Sequence, residues 1–149
     1  MPTQATARDD IYTLLKAAWD AGGPTSGKTL LYENIDGKPD GSPQGTKKDP
    51  AVWAACRIRH NISQERTLRG DQGRSIEKFG ILLIRIYTAA GEGLVVADAV
   101  VKIVSDAFIG VRSTNGVVFR APTPSEQGND GPWFQTNVTI PFEYNEIKP

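Results

Sequence analysis

One segment carries a pattern that binds nucleotide phosphates in many proteins. Residues 22–29 read Gly-Gly-Pro-Thr-Ser-Gly-Lys-Thr, which fits the phosphate-loop pattern GxxxxGK[S/T]. In such a site the backbone N–H groups surround the phosphates, the lysine neutralises them and the threonine hydroxyl holds Mg²⁺. That chemistry requires a strand before the loop and a helix after it. Here the periodicity predicts a helix before the loop, and Asp36-Gly37 interrupts the chain soon after it. We therefore expect a Gly-rich turn, and we expect Lys28→Ala to leave stability nearly unchanged.

Two residue types that often act as nucleophile, general base or metal ligand, histidine and cysteine, occur once each. His60 is the only histidine of the sequence and Cys56 the only cysteine. Residues four apart on a strand are separated by about 13 Å, which is too far for His60 to activate the Cys56 thiol, so both are expected to face the core. A single Cys and a single His exclude the usual zinc sites. Asp36, Asp40 and Asp49 lie in a Gly-rich segment without EF-hand spacing. The sequence predicts no catalytic residue, no cofactor and no metal site, and hence no enzyme.

Two long polar segments carry charges of opposite sign. Residues 34–50 contain the three aspartates named above, whereas residues 64–77 contain Arg66, Arg69 and Arg74. Both are predicted to be loops, and loops of this length in a compact domain usually bind something or are disordered. The arginines suit phosphates or the carboxylates of a partner, with a solvated loop as the equal alternative. No aromatic residues are interleaved with them, so base stacking is not expected.

Periodicity predicts the elements that position these segments. A helix is expected over residues 7–21, with Thr6 as its N-cap and Ile11, Leu14, Leu15 and Ala18 on its apolar face. A second helix is expected over 92–108. Strands are expected over 30–32, 52–63, 78–88, 116–121 and 133–144, with a third polar loop over 122–132. Because residues 78–88 are apolar on both faces, that strand is expected to be central or covered on both sides.

This order, α-β-β-β-α-β-β, predicts an α+β fold. We expect a mostly antiparallel sheet of four to five strands with both helices on one face, forming a single domain over residues 1–149. The predicted core consists of Leu14, Leu82, Ile84, Ile86, Val101, Val104, Val138, Ile140 and Phe142. Lys+Arg and Asp+Glu are both 17, which argues against a surface that binds nucleic acid or an anionic membrane as a whole. The lone cysteine suits a reducing cytoplasm, and no apolar run approaches the length of a membrane span.

Several short motifs follow one another along nearly the whole chain. In order they are Leu31-Tyr32-Glu33-Asn34, the strand from Gly80 to Tyr87, Ala90-Gly91-Glu92-Gly93 before the second helix, Val117-Val118-Phe119-Arg120-Ala121-Pro122, and Gly131-Pro132-Trp133-Phe134 leading into Val138-Thr139-Ile140-Pro141-Phe142. In this order the sequence resembles the tail terminator proteins of long-tailed bacteriophages and the related phage domains of unassigned function. None of the motifs is a catalytic signature.

The resemblance implies a structural role. Such proteins form a hexameric ring that caps the tail tube, ends its polymerisation and presents a surface to the capsid connector. The implied partners are further copies of the chain, the tail tube protein, the head–tail connector protein and DNA that passes through the ring without sequence-specific binding. The implied location is the virion tail at the head–tail joint, after assembly in the host cytoplasm and without a membrane.

A ring needs contact surfaces, and we expect them in the two polar segments and the strands beside them. The predicted interface residues are Asp36, Asp40, Asp49, Trp53, Arg66, Leu68, Arg69, Arg74 and Phe79. Two alternatives remain open. The chain is a head-side connector or adaptor protein of similar size, or a small phosphate-loop nucleotide-binding protein.

Overall fold

The computed structural model describes residues 3–21, 23–25, 29–32, 52–68, 73–91 and 94–148. Within them the chain forms two helices and six strands and is α+β, as the sequence predicts. The elements are α1 Gln4–Ala21, β1 Thr29–Tyr32, β2 Val52–Leu68, β3 Arg74–Ala89, α2 Val95–Asp106, β4 Val118–Phe119, β5 Thr123–Asp130 and β6 Trp133–Lys148. Neither helix of this described part is long and apolar enough to cross a bilayer.

The strands join one sheet in the order β1-β2-β3-β6-β4, and β5 pairs with β6 along the edge that β4 also uses. β1 runs parallel to β2, and the other pairs are antiparallel. The prediction that β3 is central is confirmed, since β2 and β6 flank it along its whole length. β3 therefore fixes the register of the strands on both sides.

The main core lies between the helices and one face of the sheet. Buried residues of α1 and α2 pack with alternate residues of β2, β3 and β6. Most of the predicted core is confirmed as buried, namely Leu82, Ile84, Ile86, Val104, Val138, Ile140 and Phe142. Leu14 and Val101 are only partly buried and pack against this core. Both helices thus cover the same face, as predicted.

Two predicted loops are wrong. Residues 64–77 contain the end of β2, which continues to Leu68, and the start of β3 at Arg74, so most of this segment is a long antiparallel hairpin. Residues 122–132 contain β5, whose polar residues pair with β6 as an outer strand. Such a strand can form on backbone hydrogen bonds without apolar side chains. The described sheet accordingly has six strands, not four to five.

The helix starts also differ from the predictions. At α1, the Thr3 hydroxyl accepts a hydrogen bond from the Thr6 N–H at 3.3 Å, and the Thr6 hydroxyl accepts one from the Thr3 N–H at 2.7 Å. This reciprocal pattern is that of a capping box, so Thr3 and not Thr6 caps the helix. α2 begins at Val95, three residues after the predicted start at residue 92.

Candidate functional site

The face of the sheet opposite the helices, here called the helix-free face, is the candidate site. Side chains alternate between the two faces of a strand. Because Ala54, Ile84 and Val138 point to the helices, their neighbours along each strand point away from them. In the described part of the chain no helix packs on this second face. It contains an aromatic cluster at one end, an apolar stripe and a group of arginines.

The aromatic cluster consists of Trp53, Tyr87 and Trp133, one from each of three adjacent strands. The Trp53 and Tyr87 rings are stacked, with centroids 4.1 Å apart, and the Trp133 ring meets Trp53 edge-on at 6.2 Å. Such aromatic pairs contribute about 0.5–1.5 kcal/mol beyond the burial of their area. Trp53 is 1% exposed, so this cluster is a second small core that anchors one end of the face.

The apolar stripe consists of Ile62, Phe79, Ile81 and Leu83. Ile62 pairs directly with Phe79, and the other two follow along β3. Ile62 is 53% exposed, and the β3 residues of the stripe are partly buried. Apolar side chains that stay accessible on neighbouring strands are typical of an interaction surface.

A β-bulge turns Ile62 onto this face. The alternation in the sequence predicts that Ile62 faces the core together with Cys56 and Ile58, and this prediction is wrong. The register shifts between His60 and Ile62, so that one extra residue separates them on β2. Because a one-residue shift moves every later side chain to the other face, Ile62 joins Phe79 instead of the core.

Arginines border the stripe. Arg59 pairs with Ile81 and Arg57 with Leu83, while Arg85 pairs with Ala55 one step further along. Arg59 and Arg85 are exposed and Arg57 is partly buried. Neither strand carries a carboxylate over residues 53–59 or 81–87. At the other end of the stripe, Glu77 precedes Phe79 by two residues on the same face, and Glu143 pairs with Phe79 and forms an ion pair with Arg120 at 2.6 Å. The end of the face around Ile81 and Leu83 therefore combines accessible apolar surface with positive charge, which suits a partner that is both apolar and acidic.

The predicted interface residues are only partly within the described structure. Asp36, Asp40, Asp49 and Arg69 lie outside the described residues. Arg66 and Leu68 lie in β2, with side chains outside the described part. Their interface role stays a prediction.

The remaining predicted interface residues lie in different surroundings. Trp53 belongs to the aromatic cluster and Phe79 to the apolar stripe. Arg74 is exposed at the start of β3, and its Nε lies 3.6 Å from Glu65 Oε1. The structure thus brings Trp53 and Phe79 onto one face. Sequence reasoning missed Ile62, Ile81, Leu83, Arg59 and Arg85, although a strand apolar on both faces was the visible signal.

The residues around the phosphate-loop pattern have the predicted context. α1 precedes the pattern, and β1, which begins at Thr29, follows it as a strand parallel to β2. Thr25 is buried, and its hydroxyl donates a hydrogen bond to the Trp19 carbonyl at 2.6 Å. A phosphate site needs a helix where β1 lies. Residues 26–28, including Lys28, lie outside the described residues.

Four ionisable groups of the described residues have shifted pKa values, and all lie on the helix side of the sheet. Burial raises the pKa of Tyr32, whose ring centroid lies 4.6 Å from that of Tyr12. His60 meets the rings of Phe142 and Tyr144 edge-on at 5.5 and 5.9 Å. Burial lowers the pKa of His60, and the positive charges of Arg8 and Lys78 lower it further. Neither ring nitrogen has a hydrogen-bond partner in the described part of the chain. The predicted core position of Cys56 is confirmed, and its thiol donates to the Leu31 carbonyl at 3.3 Å.

Asp10 and Tyr144 also have shifted pKa values. The Asp10 carboxylate accepts hydrogen bonds from the Asn115 backbone and side chain at 2.9 and 2.8 Å. Burial raises the pKa of Asp10, but hydrogen bonds from Ser113 and Asn115 outweigh it and leave the pKa lowered. Burial, and then the charge of Glu146, raises the pKa of Tyr144 to about 12. Among the described residues no group of three or more His, Cys, Asp and Glu side chains is placed to hold a metal ion.

Comparison with known proteins bears on the fold. No protein-family model matches the chain, and no curated protein matches it. One solved chain aligns with a TM-score of 0.65 at 14% identity over 100% of this chain and 99% of its own length. A chain from the virion of a native gene transfer agent particle aligns with a TM-score of 0.55 at 14% identity over 97% of this chain and 100% of its own length. At this level of identity the similarity shows a shared fold, over nearly the full length of each chain.

Proposed function

We propose that this chain is a structural subunit of a phage-like virion, and that it forms a ring at the head–tail joint which caps the tail tube and ends its polymerisation. The observation that carries the proposal is the full-length similarity in fold to a chain of a gene transfer agent virion. The order of motifs that resembles the tail terminator proteins supports the finer role. The function is non-enzymatic, and the partners are other virion proteins.

The helix-free face supports the assembly part of the proposal. One face of the sheet is covered by the chain's own helices, whereas the other presents Ile62 at 53% exposure beside a row of partly buried apolar residues. Copies that associate through different surfaces close into a ring when the rotation between them allows it. The helix-free face is one such surface.

The test removes the chain from the phage or gene transfer agent that encodes it, and electron microscopy measures the tails. The proposal predicts tails of uncontrolled length and heads without tails. It also predicts that purified chain added to tube ends forms rings, whose hexamer has a mass of about 97 kDa from six subunits of 16.2 kDa. Tails of normal length joined to heads would contradict the proposal.

The polar segments are proposed as further contacts. Deleting residues 37–47, or changing Arg66, Arg69 and Arg74 to Glu, should impair tail length control and head joining, because opposite charges steer and register assembly. Normal tails and normal joining with both changes would remove these segments from the interface.

The head-side adaptor is distinguished by the same experiment. Loss of an adaptor leaves tails of normal length that fail to join heads, whereas loss of a tail terminator changes the tail length itself. The nucleotide-binding alternative predicts Mg²⁺-dependent ATP binding at micromolar concentration that disappears in Lys28→Ala. The strand β1 after the loop argues against that alternative.

A further inference from the structure

We propose that the subunit contact of this ring is made by the start of α2 in one copy, which packs on the helix-free face of the next copy. The inference rests on the proposed function, since it names the partner of the helix-free face as a second copy of this chain. The occupant is defined by four residues, here called the α2 patch: Leu94, Val95, Val96 and Asp98.

The α2 patch is apolar and exposed. Val95 is 82% exposed, Leu94 42% and Val96 38%. By contrast, the buried residues of the same helix are Ala97, Val100 and Val104, which pack on the chain's own core. The patch is therefore apolar surface that the fold of one chain does not use.

The N-cap of α2 points the same way. Leu94 occupies the N-cap position, and among the described residues no side chain caps the helix. Ser, Thr, Asp and Asn are preferred at this position, and leucine is among the poorest choices there. Leu94 does not cap the helix and exposes apolar surface, and a contact with another chain would explain both.

The charges of the two surfaces are opposite. Asp98 lies in the first turn of α2 and is exposed. On the helix-free face, Arg59 and Arg85 are exposed beside the apolar stripe. An apolar patch with an adjacent carboxylate matches an apolar stripe bordered by arginines, and such complementarity sets orientation as well as affinity.

The topology requires that the two surfaces meet between copies. α2 packs on the helix side of the sheet, whereas the apolar stripe lies on the opposite side, so the sheet separates them within one chain. The two surfaces are different, and a contact between different surfaces repeats from copy to copy and closes into a ring when the rotation between copies allows it, whereas a two-fold dimer uses one surface twice. The geometry fits the proposed ring.

Disulfide crosslinking tests the contact. In the doubly substituted chain Val95→Cys with Leu83→Cys, oxidation should produce a ladder from dimer to closed ring on a non-reducing gel, because the two cysteines face each other in neighbouring copies. Each single variant should give no ladder, since in the proposed contact residue 95 does not face residue 95 of another copy, and residue 83 does not face residue 83. The native Cys56 is buried and adds little background. Leu83→Cys with Thr13→Cys is the matched control, because Thr13 is exposed on α1 and lies outside the patch.

The second experiment exchanges the charges of the two surfaces and leaves their apolar residues unchanged. Asp98→Arg and Arg85→Asp should each weaken assembly about tenfold, because attraction becomes repulsion, and the two together should restore it. Sedimentation measures the assembly. Additive losses in the double variant would overturn the inference.

The two proposals fail in different ways. The contact would be overturned, and the proposed function would stand, if the chain formed rings or controlled tail length but gave no crosslinks between Val95→Cys and Leu83→Cys. Crosslinked closed rings from a chain whose loss leaves tails normal would support the contact and overturn the proposed function. Binding of the patch to tail tube protein alone would overturn the contact between copies.

Discussion

Gly80 lies in the middle of the sheet, where its neighbours fill the space that a side chain would need. It pairs with His60 on β2 and with Phe142 on β6. A Cβ at this position would lie 2.5 Å from the Arg59 carbonyl oxygen and would overlap the Phe142 ring. The carbonyl belongs to the backbone of a paired strand, so it cannot move without shifting the ladder. Gly80→Ala is therefore expected to destabilise the fold.

The magnitude follows from two opposing effects. In a strand without such contacts, Gly→Ala stabilises by about 0.4–1 kcal/mol because it restricts the unfolded chain. Overpacking a filled site costs about 1–3 kcal/mol, and the overlap with both a backbone atom and a ring puts Gly80 at the upper end of that range. The net loss should be about 2 kcal/mol. For a chain of this size it corresponds to a Tm lower by about 4–8 °C.

Urea unfolding followed by tryptophan fluorescence measures this loss, since Trp19, Trp53 and Trp133 are all buried. Gly23→Ala is the control, because a Cβ added there would have no heavy atom within 4 Å and the φ of Gly23 is outside the left-handed region. That control should match or slightly exceed the native stability. If Gly80→Ala were as stable as Gly23→Ala, the packing argument around β3 would be refuted.

Three further predictions concern the interior. Ile84→Ala should lower the unfolding free energy by about 2–5 kcal/mol, measured in urea, since Ile84 is fully buried. Asp10→Ala should lower it by about 1.5–3 kcal/mol through loss of the bonds to Asn115. Since the folded pKa of Asp10 is lowered, its contribution should be lost as pH falls below 3.8. Since burial lowers the pKa of His60, native stability should fall as pH drops below 6.5. His60→Phe should remove that part of the pH profile.

The helices and most strands could be predicted because the spacing of their apolar residues follows the face that is buried. The strand around Ile140 alternates and the strand around Ile84 is a continuous apolar run, and the order of elements follows from where these patterns begin and end. β5 could not be predicted in this way. Its residues are polar and include Pro124 and Gly128, so it has no buried face to record, and it is held by its pairing with β6.

Errors near the candidate site have a different physical cause. Two register shifts in β2, after His60 and after Glu65, each add a residue that breaks the period of two. The alternation therefore assigns Ile62 to the wrong face and ends the strand too early. The buried face of α1 also differs from the prediction. Its buried residues, Ala7, Ile11, Leu15 and Trp19, follow one another at steps of four, whereas Leu14 and Ala18 of the predicted face are only partly buried.

The ionisable groups with shifted pKa values are dispersed through the described part of the fold. Active sites gather such groups in one cleft with a shared task. Here Asp10 fastens α1 to the turn before β4, while His60 and Tyr144 pack together with Phe142 against the interior. Each shift has a cause in burial or in contacts that hold the fold. The accessible residues of the helix-free face are instead apolar side chains and arginines, which supply association and orientation. In the described part of the chain, therefore, the groups with shifted pKa values belong to the packing of the helix side, and the surface chemistry of the helix-free face fits the proposed contact between copies.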